Sequence, residues 1–409
     1  MKIGIDFGST YSTVSAYNAS LDRAEPLILV EGEPASIPSV VSLNKKGQIT
    51  CGLGAKDKAG KKNVQIFEAF KMLLNEEDQE LLAARGYGGE NSPRSITRAY
   101  LEDILRGVML RFSRSEDERL EDVTICVPEI WARSTRGLDG RAILRDILQK
   151  ECQVQAEHVR VVTEPEAASA FFAFNYEKET GQAFNGHLLL IDYGGGTLDI
   201  TLTEISSDGK GIMEVCCREG GGAGENHVDS LGHRNIGSAG IAYMQTVLLY
   251  AMWDSGLLAR DQSPDYTDPA FIGAVRDLES QLKNASRIKE IEDVFGSYGS
   301  DYEEMADIMD DDDIEFVTVS YEEEDLPVTF QHLYAAYRDV IEKVLREQLE
   351  LINQKVARYI HADPCSPSAG IDGSFKIGLV GGFGSFFLVK KQLAEIYKRD
   401  LEPSFPAAG

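Results

Sequence analysis

The stretch Lys2-Ile3-Gly4-Ile5-Asp6-Phe7-Gly8-Ser9-Thr10-Tyr11-Ser12-Thr13-Val14 is an apolar run, an acidic residue, a glycine turn and a second, alternating run. It has an echo far downstream. His187-Leu188-Leu189-Leu190-Ile191 leads into Asp192-Tyr193-Gly194-Gly195-Gly196-Thr197, and Leu198-Asp199-Ile200-Thr201-Leu202-Thr203-Glu204 alternates after it. Each reads as strand, tight glycine turn, strand, which is the pattern of a β-hairpin. One such hairpin would be ordinary punctuation. Two, each opening one half of a 409-residue chain, predict a duplicated fold. A chain of that length also exceeds what a single hydrophobic core usually supports.

Between the echoes the pattern alternates strand and helix. Residues 63–84 and 95–112 are rich in helix formers, and Ile96, Tyr100, Leu101, Ile104, Leu105 and Val108 form one stripe. A strand is predicted at Val123–Val127, closed by Pro128, then a helix over about 135–150, a strand at Val159–Thr163 and a helix over 166–176. The second half carries a glycine-rich loop over 220–240 and helices over 244–256, 270–292 and about 330–359. It closes with a strand at Lys376–Val380 and a helix to about residue 398. Strands alternating with helices predict an α/β fold with a largely parallel sheet.

Composition narrows the function. With 67 acidic against 41 basic side chains the formal net charge is -26, which repels nucleic acid and anionic membranes at long range. The run Asp310-Asp311-Asp312-Asp313 lies in an acidic loop of about 297–313; it lacks the ligand spacing and glycine of an EF-hand and reads as a solvated loop. The six cysteines, Cys51, Cys126, Cys152, Cys216, Cys217 and Cys365, contain no C-x-x-C pair, so no zinc or thioredoxin motif is indicated, and their scatter fits a reducing compartment. On one strand, adjacent Cys216 and Cys217 would face opposite sides. His227 and His233, in the glycine-rich loop, read as solvent-exposed. Asp6 interrupts the only apolar run at the N-terminus, so no signal peptide is expected, and a membrane span is not expected either. The reading is a cytoplasmic protein with no membrane or nucleic acid partner.

Glycine turns expose consecutive backbone N–H groups that can cradle phosphates. Gly8-Ser9-Thr10 offers one such cradle and Gly194-Gly195-Gly196-Thr197 a second. Asp6 and Asp192 end apolar strands at equivalent places, and Asp199 follows across the second turn. Carboxylates so placed suit Mg²⁺, which binds through few side chains, often by way of water, together with phosphate oxygens; any single one could instead cap its turn. No G-x-x-x-x-G-K-[ST] and no G-x-G-x-x-G after a strand is present, so P-loop and Rossmann folds lose support.

These two glycine motifs closely resemble the phosphate motifs of DnaK-type heat-shock chaperones, the heat-shock 70 family. Val161-Val162-Thr163-Glu164-Pro165-Glu166-Ala167-Ala168 resembles the family's first connecting motif, and Gly378-Leu379-Val380-Gly381-Gly382 its adenosine motif. The four lie in the family's order across nearly the whole chain. The resemblance implies an actin-like ATPase fold: duplicated ribonuclease-H-like lobes, 1–186 and 187–409, with a nucleotide cleft between them and the last helix, about 386–398, returning near the first lobe. It implies ATP or ADP with Mg²⁺ as cofactors and K⁺ as a further candidate ion. Asp6, Asp192 and Asp199 are then the carboxylates around hydrated Mg²⁺, and Thr10 and Thr197 flank the phosphates with Gly8, Ser9, Tyr11, Gly194, Gly195, Gly196 and Gly237. Lys71 is implied to orient the attacking water, and Glu164 to link the lobes near the metal. Pro128 and Arg136 would relay nucleotide state, while Glu279, Lys283, Ser286, Gly381, Gly382 and Ser385 would border the adenosine. Without the resemblance, Lys71 reads as an exposed helix lysine and Pro128 as a strand terminator.

The chain departs from the family at Ile236-Gly237-Ser238-Ala239-Gly240-Ile241-Ala242, where the usual segment carries acidic residues. The sequence ends shortly after the adenosine motif, without the family's peptide-binding domain, so the expectation is either an excised ATPase domain or a divergent member with no conventional substrate domain. A C-terminal substrate domain, co-chaperone or exchange factor would be a partner outside this sequence. The expected activity is slow ATP hydrolysis driving lobe opening and closing. A filament-forming ATPase of the actin or MreB type, and a small-molecule kinase of the sugar or acetate type, are the alternatives on the same fold.

Overall fold

The computed structural model describes residues 1–398 apart from 19, 22, 33, 60, 69, 113–119, 129–130, 132–138, 155–158, 196–197, 207–211, 222–238, 267, 283, 298–313, 371 and 385. Two compact units make up the chain, Met1–Ala167 and a second that begins at Ala168. The division falls within the helix Glu164–Thr180.

In the first unit β1 (Lys2–Phe7) and β2 (Tyr11–Asn18) form the first hairpin, with Asp6 opposite Thr13. Strands β3 (Arg23–Pro26) and β4 (Ser36–Pro38) pair with β2, and β5 (Val41–Asn44), β6 (Ile49–Cys51) and β7 (Val64–Phe67) make a separate small sheet. On the other side of β1, β8 (Asp122–Val127) runs parallel to it and β9 (Val159–Thr163) parallel to β8, giving the order β3-β2-β1-β8-β9. Side chains alternate along β1. Ile3, Ile5 and Phe7 enter a core with Val123, Ile125 and Val127, and Asp6 points to the opposite face. The helix Pro93–Phe112 supplies the expected stripe to that core, Ile96 through Val108.

The second unit repeats the arrangement. Strand β10 (Gly186–Tyr193) forms a hairpin with β11 (Leu198–Ser206), β12 (Ile212–Gly221) flanks β11, and β15 (Phe375–Val380) runs parallel to β10. The order β12-β11-β10-β15 matches β3-β2-β1-β8 strand for strand, so the sequence echo is an echo of topology. A hairpin of β13 (Glu315–Tyr321) and β14 (Glu324–Thr329) stands apart. Leu189, Ile191 and Tyr193 face a large core with the helices Ala239–Asp254 and Pro269–Leu282, while Leu188 and Leu190 face a smaller one with Phe172, Phe184 and Ile205. Leu388, Leu393 and Tyr397 of the last helix, Phe387–Tyr397, belong to the larger core. Among the described residues no helix is long and apolar enough to cross a membrane.

Several predicted elements change. Residues 63–84 are not one helical region: Val64, Ile66 and Phe67 join β7, a 3₁₀ turn covers Met72–Asn75, and a new helix starts at Gln79. Asp78 causes that restart by accepting the N–H bonds of Glu80 and Leu81, as an N-cap does. The helix expected over 270–292 is two, because the Asn284 carboxamide accepts the Ser286 N–H and opens Ala285–Ser297. Of the helix expected over 135–150, the described part begins at Gly140, capped by Asp139. The acidic loop and both histidines of the glycine-rich loop lie outside the described residues.

Candidate functional site

Within the first unit three predicted residues come together. Thr163-Glu164-Pro165-Glu166 is a capping box: the Glu166 carboxylate accepts the Thr163 N–H at 2.7 Å, and the Thr163 hydroxyl accepts the Glu166 N–H at 3.4 Å. Proline in this first turn loses no helical hydrogen bond. The cap sets Glu164 at the helix start, where the positive end of the helix dipole favours a carboxylate. Glu164 Oε1 in turn holds the Lys71 ammonium at 2.6 Å. Lys71 is not the exposed lysine that its surroundings in the sequence suggested; only 2% of its side chain is exposed. Its ammonium also lies 5.7 Å from the centre of the Phe7 ring, a cation–π distance.

Asp6 shares this neighbourhood. Water reaches the carboxylate, yet protein surrounds it closely, and that burial, with the negative charge of Glu164, pushes its carboxyl above the usual range while Lys71 opposes the shift.

The first glycine turn is held by a residue that sequence reasoning missed. Ser39 Oγ donates to the Gly8 carbonyl at 2.7 Å and its backbone N–H donates to the Thr10 carbonyl at 2.8 Å. The buried hydroxyls of Ser39 and Ser12 lie 3.0 Å apart. Gly8 is required there, since a Cβ would stand 2.0 Å from the Tyr11 carbonyl oxygen. Lys56 donates to the Tyr11 hydroxyl at 3.2 Å. Pro128 is buried, and its carbonyl accepts the Trp131 N–H.

In the second unit Asp192 and Asp199 face each other as one cross-strand pair of the β10–β11 hairpin. The turn between them is tied to the start of the helix Ala239–Asp254: Gly240 and Ile241 donate their N–H groups to the carbonyls of Gly194 and Gly195 at 3.3 and 2.8 Å. The segment that departs from the family thus meets the turn through backbone. The Tyr193 carbonyl accepts the N–H groups of Phe383 and Gly384, at 3.0 and 2.9 Å. Gly381, at φ 86°, passes so near that a Cβ would lie 2.4 Å from that carbonyl oxygen and 2.5 Å from Asp192 Oδ1. Glu279 and Ser286 fall on separate helices, Glu279 half-buried and Ser286 exposed with its hydroxyl donating to Asn284. Arg136, Gly196, Thr197, Gly237, Lys283 and Ser385 lie outside the described residues.

No family model matches the chain. Curated proteins do match, and two of them follow. The movement protein Hsp70h of Lettuce infectious yellows virus (isolate United States/92) is 26% identical over 225 residues, covering 49% of this chain and 37% of that protein. The chaperone protein dnaK3 of Thermosynechococcus vestitus is 27% identical over 237 residues, covering 53% of this chain and 32% of that protein. The chain therefore spans about a third of the length of these relatives. Its duplicated strand order and glycine hairpins place it in the class of mixed α/β proteins with the actin-like ATPase fold. Within that class, the chain is similar to Hsp70-type proteins over about half of its length.

Proposed function

We propose that this chain binds ATP and ADP with Mg²⁺ and hydrolyses ATP slowly, with water as acceptor and the opening and closing of its lobes as output. The observation that supports it most is the group Asp6, Lys71 and Glu164 beside the first glycine turn. Two carboxylates and one ammonium leave a net negative charge that a divalent cation relieves, and phosphoryl transfer needs little beyond such charge and positioning. In this reading Asp6, Asp192 and Asp199 hold the hydrated Mg²⁺, and Lys71, placed by Glu164, orients the attacking water. Gly8 to Tyr11 and Gly194 to Thr197 cradle phosphates, with Gly237 nearby. Gly381, Gly382, Ser385, Glu279, Lys283 and Ser286 border adenosine, K⁺ is a further candidate ion, and Pro128 with Arg136 relays nucleotide state.

The relative named a chaperone supports the chaperone-type reading at family level. A substrate domain, co-chaperone or exchange factor outside this chain, and a cytoplasmic location, belong to the same proposal. Calorimetric titration with ATP and ADP in Mg²⁺ tests it, and absence of binding by both nucleotides removes it. Nucleotide-dependent light scattering would redirect it to a filament former. ATP consumption only with an added acceptor would redirect it to a small-molecule kinase.

A further inference from the structure

At the far end of the second hairpin from Asp192 and Asp199, three adjacent strands each bring a metal-ligating side chain to one place. His187 is the second residue of β10, Glu204 pairs with it on β11, and Cys216 lies on β12. One donor atom from each, an imidazole nitrogen, a carboxylate oxygen and the thiol sulfur, all lie within 4.8 Å of one another. His187 and Glu204 are each five residues from the aspartates on their own strands, roughly 17 Å along a strand.

A β-bulge creates the juxtaposition. Leu202 pairs with Cys217 and Thr203 with Val215, so Cys216 is the extra residue of β12 at this point. Instead of facing opposite sides, as plain alternation predicts, Cys216 and Cys217 both pack against the larger core of the second unit. Bulges are a recurrent means of re-aiming a side chain next to a site. The Tyr359 hydroxyl, from the helix Lys343–Ile360, donates to the Cys216 carbonyl at 2.9 Å and holds the bulge in place.

We propose that His187, Glu204 and Cys216 form a binding site for a divalent cation of the zinc class, which pins β10, β11 and β12 together. Thiolate, imidazole and carboxylate are the zinc donor set, whereas Mg²⁺ and Ca²⁺ take oxygen alone. Around tetrahedral zinc, with bonds of about 2.0–2.3 Å, donor atoms stand roughly 3.3–3.7 Å apart. Closing from 4.8 Å needs about 1 Å of side-chain adjustment in residues that are half-buried or exposed. The fourth position is open to water or to Glu214, which pairs with Glu204 across the sheet. The inference is independent of the nucleotide reading.

Cobalt is the probe, since Co²⁺ replaces zinc and reports thiolate ligation by a near-ultraviolet charge-transfer band and tetrahedral geometry by visible bands. The metal-stripped full chain is titrated with Co²⁺ and then with Zn²⁺. The expected result is one Co²⁺ bound with both signatures and displaced by Zn²⁺. The thiolate band is lost in Cys216→Ser and kept in Cys217→Ser, and affinity falls roughly tenfold or more in His187→Ala. Zn²⁺ should also raise the melting temperature of the wild type but not of Cys216→Ser. If Cys216→Ser does not fold, as judged by circular dichroism, His187→Gln and Glu204→Gln read the site through weakened Co²⁺ affinity, and unchanged affinity in both overturns it. A wild type without the thiolate band, or a band that survives in Cys216→Ser, overturns the site.

Discussion

Asp192 and Asp199 stand directly opposite each other on β10 and β11, on one face of the sheet. Like charges at such a cross-strand pair destabilise a hairpin. Replacing one charge should therefore stabilise the metal-free chain while weakening Mg²⁺-dependent nucleotide binding. We expect Asp199→Asn to gain up to about 1 kcal/mol in the absence of Mg²⁺. Thermal melts with and without Mg²⁺ and Mg-ATP check it. Equal melting shifts from Mg-ATP in wild type and variant would remove Asp199 from the metal site.

The Lys71–Glu164 pair sets a second expectation. Glu164→Ala leaves an ammonium that is 2% exposed without its nearest carboxylate, and should cost roughly 3–5 kcal/mol. Lys71→Met should cost less, because Glu164, 17% exposed, regains water more easily. Denaturant unfolding gives both values. Hydrolysis should fall about 10²–10³-fold in Lys71→Met, the usual loss for an electrostatic positioning group. Wild-type turnover in that variant would remove Lys71 from the reaction.

How much was legible beforehand follows from the range of the interactions involved. The two hairpins and the Ile96–Val108 stripe are local patterns, and each is present as read; the Thr163–Glu166 box is as local, but its sequence was read only as part of the connecting motif. The burial of Lys71 was not legible as a local pattern, because it depends on Glu164, 93 residues away in sequence. The β13–β14 hairpin hid for another reason. Its turn places Glu322 and Glu323 at φ 48° and 72°, where glycine or asparagine is the expected signal. The Cys216 bulge offers no composition cue, since register is a property of strand pairs.

Gly381 and Gly382 separate packing from recognition. Gly381→Ala meets both a left-handed φ of 86° and the Tyr193 carbonyl, so it should cost at least about 1–3 kcal/mol. A Cβ on Gly382 meets nothing within 4 Å, so Gly382→Ala should melt as the wild type does. If the adenosine passes over this turn, Gly382→Ala will weaken ATP binding without loss of fold. Unchanged affinity would place the adenosine elsewhere.

The thiols supply the last test, one that reads burial directly. Burial pushes Cys51, Cys126 and Cys152 up to about 12, and for Cys126 the charges of Asp6 and Glu164 add to it. At pH 8 only about one part in 10⁴ of each is thiolate, the reactive form. A raised thiol stays protonated until the pH approaches its own value, so labelling should quicken about tenfold per pH unit across the neutral range. In the folded chain at pH 8 a thiol-specific reagent should therefore leave these three unmodified, under conditions that label all six cysteines after unfolding in denaturant. Cys126 carries the sharpest outcome, because it pairs with Asp6 across β1 and β8. Prompt labelling of Cys126 at pH 8 would mean that the strands around Asp6 open in solution, and the electrostatics assigned to Asp6, Lys71 and Glu164 would have to be rebuilt on a solvated site.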